Sequence, residues 1–231
     1  MTITFIDLFA GIGGFHLAFH NLGAKCVFVS EWDNAARKTY KKNFEKIAPE
    51  LFAPDTIEQT FAGDITAVSP GNIPDFDIIT GGFPCQPFSQ AGLKKGFNET
   101  RGTLFFDIAN IIKEKQPRAF FLENVRGLLT HDDGRTFATI RRVLAEELGY
   151  SFFYKVIKAS DYGVPQHRPR LFMVGFKDKI IDFEFPEPVK PTMTMDDVFD
   201  GKVNKTKLLT ILYVLAAEAL ALATAATGTR I

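Results

Sequence analysis

The chain has 231 residues, 46% of them hydrophobic, which suffices for one sizeable core and makes one domain the default count. Its 27 basic and 27 acidic residues cancel, so composition alone does not suggest a nucleic-acid partner, although a local basic stripe would be enough for one. Two cysteines, Cys26 and Cys85, exclude a disulfide framework and any zinc-ligand spacing, in keeping with a reducing cytosol. The first residues, Met1-Thr2-Ile3-Thr4-Phe5, start directly as a strand and carry no basic-then-apolar leader, so a cytoplasmic location is expected.

In chain order, residues 3–8 read as a short apolar strand and residues 13–22 as a helix closed by Gly23. A second strand is expected at 25–30 and a second helix at 33–44. Residues 76–80 form another strand, and 104–115 an amphipathic helix ended near Pro117. Residues 118–123 are again a strand, and 135–148 a helix stopped by Gly149; 152–158 and 170–176 are two later strands. This alternation predicts an α/β domain, a mostly parallel twisted sheet with helices on both faces. Pro186, Pro188 and Pro191 mark a linker, giving a domain over 1–184, a linker over 185–204 and an atypical apolar tail over 205–231.

Five segments carry candidate chemistry. Asp7-Leu8-Phe9-Ala10-Gly11-Ile12-Gly13-Gly14-Phe15 is a strand, a glycine-rich turn and a helix start, a place where backbone approaches an anionic or nucleotide ligand closely. On its own it is equally an ordinary tight turn. Glu31 ends the second strand about twenty residues later, where nucleotide folds bind ribose hydroxyls, and Trp32 beside it suits stacking on a purine. Gly82-Phe83-Pro84-Cys85-Gln86-Pro87-Phe88-Ser89 sets a cysteine between two prolines after a strand, a stiff loop that aims its thiol. A lone cysteine is more often a small buried hydrophobe, as expected of Cys26. Glu123-Asn124-Val125 and Gln166-His167-Arg168-Pro169-Arg170 follow, each with an ordinary turn or solvated-surface alternative. His16, His20, His131 and His167 have no metal-ligand spacing, and no metal is expected.

Taken together with Gly63-Asp64-Ile65, and in this order over residues 3–176, these six signatures resemble the DNA cytosine-5 methyltransferases. The resemblance implies a Rossmann-like S-adenosylmethionine-dependent methyltransferase fold. It implies that Phe9 and Gly11 line the methionine end of S-adenosylmethionine, Glu31 takes the ribose hydroxyls, Trp32 stacks on adenine and Asp64 accepts from the adenine amino group. Gly13, Ile65, Pro84 and Leu104 are grouped with that site, whereas Asp7 is read as structural, capping the turn from below. Asp64 alone could equally be a turn or helix cap. Cys85 becomes the nucleophile, Glu123 holds N3 and the exocyclic amine, Asn124 braces the loop, Arg170 meets the cytosine O2, and Arg168 meets phosphate or orients the loop.

The chemistry explains those residue types. Cytosine C5 does not attack a methyl sulfonium unaided; a thiolate adding to C6 makes C5 carbanion-like, and protonation at N3 assists the addition. A stacked base cannot reach a thiol and a cofactor together, so double-stranded DNA with an extruded cytosine is the implied partner. The stretch 89–97, rich in Gly, Ser and Lys, suits a loop closing over DNA, or an ordinary solvated loop. The implied setting is a bacterial restriction-modification system.

The family's variable recognition region and its closing Gly-Asn-Ser-Val-like segment are not recognisable here, which implies a catalytic domain truncated near Asn204. Residues 208–228 are almost wholly Leu, Ala, Thr, Ile and Val. They admit a bilayer span, a packing helix, or translation in a shifted frame. The third is preferred, because residues 215–229 read from each codon's third base permit Gly-Gly-Arg-Gly-Ser-Gly-Ile-Gly-Asp-Arg-Arg-Asn-Trp-Asp. Other functions remain open: a non-catalytic remnant, one subunit needing a partner chain that supplies the recognition region, or methylation of a tRNA cytosine. No membrane partner is expected.

Overall fold

The computed structural model describes residues 2–85, 104–179 and 182–189. Seven strands form one sheet: β1 (Thr4–Leu8), β2 (Lys25–Ser30), β3 (Phe61–Ala62), β4 (Ile78–Gly82), β5 (Ala119–Val125), β6 (Phe153–Lys158) and β7 (Pro169–Phe176). Their spatial order is β3-β2-β1-β4-β5-β7-β6. The first five run parallel, while β7 inserts antiparallel between β5 and β6. Because the chain leaves β1 towards β2 and later returns on its other side as β4, the order reverses between β1 and β4, the crevice where open α/β sheets bind ligands.

Strands buried on both faces read as continuous apolar runs, and period-two alternation then divides their side chains between two cores. Phe5, Ala119 and Phe121 face one layer with Phe19, Tyr40 and Phe44 from helices α1 (Gly14–Asn21) and α2 (Asn34–Phe44). Ile6, Leu8, Phe120 and Leu122 face the other. The short helix α3 is Ile57–Thr60; Ile108, Ile111 and Ile112 of α4 (Leu104–Lys115) and Ile140 of α5 (Arg135–Arg141) fill that second layer. Each fully buried Phe or Ile contributes about 2 kcal/mol of transfer free energy.

The helix ends follow local chemistry. The Asp33 carboxylate accepts from Ala36 N at 2.7 Å and caps α2, and Gly23, at φ 81°, closes α1 by donating to the His20 carbonyl. Two expectations shift. The strand expected at 76–80 is Ile78–Gly82, because Gly81 and Gly82 pair with Leu122 and Glu123; a Cβ at Gly81 would lie 3.2 Å from the Leu8 carbonyl, so glycine permits close strand approach there. The helix expected at 135–148 divides, α5 passing at Arg142–Glu147 into a wider π-turn that places Val143 and Leu144 side by side in the core. The two-residue β3 and single-turn α3 are too short to leave a periodic signal.

Gly13 illustrates the tightness of this packing. It adopts φ 94°, and a Cβ there would come within 2.0 Å of the Phe44 ring. We expect Gly13→Ala to cost about 3 kcal/mol, overpacking added to left-handed strain, read as a lower urea midpoint at unchanged slope.

The first part of the expected linker lies against the domain: Tyr162 OH donates to the Pro186 carbonyl at 2.5 Å and Val189 N donates to the Asp161 carbonyl at 2.9 Å, while Phe183, just before it, is buried. The rest of the linker, the tail over 205–231, and the loop over 89–97 lie outside the described residues.

Candidate active site

The glycine turn leaves β1 with Phe9 itself left-handed at φ 55°, an uncommon conformation for a side-chain-bearing residue and one characteristic of functional turns. Gly11 follows at φ 56° with open space where a Cβ would stand, so this part of the turn is accessible to a ligand. Gly13, grouped with the cofactor residues from sequence, has a packing reason of its own beneath the turn. Ala10 N donates to the Ser30 carbonyl at 3.1 Å, and Asn43 Nδ2 of α2 donates to the Ile12 carbonyl at 3.1 Å.

Asp7 lies fully buried below. Its carboxylate oxygens accept from His16 N at 3.3 Å and Thr80 Oγ1 at 3.2 Å, tying α1 and β4 to β1, which is the capping role read from the sequence. Burial pushes its carboxyl up to about 8 against those two hydrogen bonds, with the charge of Glu31 adding to the rise. His16 is buried beside it; burial holds its ring down to about 3, neutral, stacked on Phe44.

Glu31 closes the turn from β2: its carboxylate accepts from Gly11 N at 2.7 Å and from Asp33 N at 2.8 Å. Trp32 next to it is 80% exposed, a large aromatic face left open to solvent at the carboxyl rim of the sheet. Asp64 follows β3. Its Oδ1 accepts from Thr66 N and Thr66 Oγ1, both at 2.9 Å, so one oxygen makes the cap anticipated as an alternative and Oδ2 takes no hydrogen bond among the described residues. Ile65 is buried behind it, and Leu104 is half-buried at the start of α4. Asp107, one turn into α4, was not singled out from sequence; burial pushes its carboxyl up and the Asp64 charge adds to that, placing both acids on one rim.

The second half of the site stands beyond β4. Gly82 pairs with Glu123, and a Cβ there would lie 3.3 Å from Glu123 Oε2, so glycine clears room for that carboxyl. Phe83 is buried, Pro84 exposed, and Cys85 half-buried against the second core. Asn124, fully buried, donates from Nδ2 to the Phe83 carbonyl at 2.8 Å, fastening the cysteine loop to β5 beside Glu123. Asn124→Ala strands that carbonyl and is expected to cost about 2 kcal/mol, measured as lost thermal stability; an unchanged midpoint would remove the bracing role.

The resemblance assigns Arg170 to the cytosine O2 and Arg168 to phosphate or the loop, and the structure gives the two different surroundings. Arg170 Nε meets Glu123 Oε1 at 2.8 Å, both half-buried, because β7 runs antiparallel beside β5 and sets Arg170 diagonally across from Glu123. Arg168, just before β7, is exposed. Burial pushes the Glu123 carboxyl up, outweighing the opposing pull of both guanidiniums, and burial likewise pushes the Cys85 thiol up. Both shifts run toward the protonated form of the group concerned. Cys26 is the inert buried cysteine expected, its thiol 3.5 Å from the Phe28 carbonyl. Among the described residues, no His, Cys, Asp and Glu group could hold a metal, and no helix is long and apolar enough to cross a membrane.

The chain resembles proteins of known type. It is 52% identical over 204 residues to Type II methyltransferase M.SsoII of Shigella sonnei, covering 86% of this chain and 50% of that protein. It is 50% identical over 208 residues to Type II methyltransferase M.HpaII of Haemophilus parainfluenzae, covering 88% and 55%. The chain therefore spans about half the length of the curated relatives it matches. Among solved structures, the Dnmt2 methyltransferase of S. pombe superposes with a TM-score of 0.58 at 20% identity, over 88% of this chain and 55% of that one, and shows the shared Rossmann-like fold. Residues 3–227 match the family described as C-5 cytosine-specific DNA methylase, and with that match spanning the turn, the cysteine loop and the Glu123–Arg170 pair, the chain belongs to this family.

Proposed function

We propose that this chain is the catalytic part of a DNA (cytosine-5)-methyltransferase of a restriction-modification system, acting on a cytosine extruded from duplex DNA. One observation carries the reading: Asn124 fastens the Cys85 loop to β5 next to Glu123, whose carboxyl burial pushes toward its neutral, proton-donating form. The relatives named Type II methyltransferases support the restriction-modification setting.

The family uses S-adenosylmethionine, which when bound supplies an electrophilic methyl group. The residues present fit it. Gly11 leaves open space at the turn, Glu31 offers a carboxylate for ribose hydroxyls at the end of β2, Trp32 offers a free aromatic face, and Asp64 offers Oδ2 for an amino group. Phe9, Ile65, Pro84 and Leu104 complete the surround. Against the base, the Cys85 thiolate adds to C6 while Glu123 gives its proton to N3, so the electron pair moves to C5. After C5 gains the methyl group, water takes the C5 proton, the thiolate leaves C6 as the ring double bond re-forms, and N3 returns its proton to Glu123, so that Cys85 and Glu123 regain their starting forms. Arg170 holds the Glu123 carboxyl; on this reading it also takes the cytosine O2, and Arg168 meets phosphate or orients the loop.

The test is transfer of labelled methyl from S-adenosylmethionine by the 231-residue chain, offered duplex DNA or tRNA, with and without a separately supplied recognition region of a relative. Label in DNA that rises when that region is added supports the reading. Label in tRNA with none in DNA would replace it with the RNA-modifying alternative, and no label with intact cofactor binding would leave a remnant. The domain limits proposed, catalytic over 1–184 with a linker to 204 and a frame-shifted tail beyond, are checked by reading the coding DNA past Lys205 in the other frame.

A further inference from the structure

Beneath the nucleoside half of the site lies one side chain that neither the sequence reading nor the proposed chemistry uses. Arg37, on the second turn of α2, is half-buried. An arginine on a polar helix face is ordinarily solvated, but this one folds back under the sheet's carboxyl rim. Its Nη1 donates to the Glu31 carbonyl at 3.0 Å and also to the Ala62 carbonyl, and its Nη2 donates to the Phe61 carbonyl at 3.1 Å. The guanidinium also lies 4.2 Å from the centre of the Phe61 ring.

These carbonyls stand where two neighbouring parallel strands end, and β3 has only two residues of ladder, Val29 with Phe61 and Ser30 with Ala62, to hold it. Glu31 N adds one bond to the Ala62 carbonyl at 3.1 Å. A two-residue edge strand is marginal by itself. Arg37's planar fork holds its donors in a fixed geometry across both strand ends, whereas a lysine carries its three on a small, freely rotating ammonium. The segments so joined are the ones carrying Glu31-Trp32 and Asp64-Ile65.

We infer that Arg37 is a positioning residue for the cofactor's adenosine, setting the span between the Glu31 carboxylate and the Asp64 carboxylate by clamping the ends of β2 and β3. The inference rests on the cofactor reading above. It places the cause of nucleoside affinity partly on a helix that touches no ligand.

The experiment is isothermal titration of the full 231-residue chain with S-adenosylhomocysteine, with thermal unfolding of each variant alongside. Arg37→Gln is expected to raise Kd roughly tenfold, as loss of charged hydrogen bonds predicts, and Arg37→Lys to raise it less. Because Arg37 acts through Glu31, the Glu31→Ala, Arg37→Gln double variant should lose clearly less than the product of the single losses. Arg37→Gln binding within twofold of the parent, or losses that multiply independently, overturns the inference and leaves Arg37 merely structural. Should Arg37→Gln fail to fold, Arg37→Lys carries the same comparison, and parent-like affinity there, with additive behaviour toward Glu31→Ala, also overturns it. A parent chain that binds no S-adenosylhomocysteine sinks the cofactor reading itself, and this role with it.

Discussion

Replacing Cys85 with alanine is expected to reduce methyl transfer to DNA on the order of 10⁴-fold or more, since removing a nucleophile removes the covalent route rather than trimming it. Cys26→Ala serves as the internal control: that thiol is buried in β2 and burial raises it well out of the reactive range, so transfer should survive its loss. Undiminished turnover by the Cys85 variant would end the covalent reading. Alkylation gives an independent check on the same group. Cys85 is half-exposed with its thiol pushed up by burial, so the thiolate fraction, and with it the rate of modification by iodoacetamide, should climb steadily from neutral pH upward. A rate already flat at neutral pH would mean a thiolate at rest, contrary to this site's geometry.

Glu123→Gln is expected to lower kcat by roughly 10²–10⁴-fold, the range for loss of a positioned general acid. The pH profile adds a sign that a structural defect would not produce. The productive form needs Cys85 ionised and Glu123 protonated. Both groups are displaced upward, and they titrate as a pair, so kcat/KM of the parent should rise through the lower apparent pKa and fall above the upper one. Glutamine cannot lose a proton, so in the variant the falling limb should vanish and the residual rate should follow the thiolate fraction to a plateau. A variant that keeps the falling limb would assign it to some other group. Arg170 should be tested beside it: its Nε contact steadies the Glu123 carboxyl, so Arg170→Ala should move the profile toward higher pH as the guanidinium's downward pull on that carboxyl is lost.

Much of the molecule was legible along the chain because its signals are local. The turn at Phe9-Ala10-Gly11, the acid and tryptophan ending β2, the proline-braced Cys85 and the Glu123-Asn124 pair are each a few consecutive residues, and a few residues decide φ, stiffness and which strand end they occupy. The alternation of strands and helices was readable for the same reason, since period-two and period-3.6 burial are written in neighbouring positions. Element ends were less secure where a partner strand sets them: Gly81 and Gly82 look like a turn in isolation and become strand only because Leu122 and Glu123 lie beside them.

The sequence by itself determined the fold class, the family and the residue types available for chemistry. Only the tertiary structure decided which of them meet. It put β7 antiparallel against β5, so that Arg170 pairs with Glu123 instead of standing free beside Arg168. It brought Asn124 to the Phe83 carbonyl 41 residues away, Asp107 to the rim of Asp64, and Arg37 to three strand-end carbonyls. The physical reason is common to all four. Contacts between residues far apart in sequence depend on strand order, register and helix docking, which are fixed by the packing of two whole hydrophobic layers and leave no periodic trace around any one of the partners.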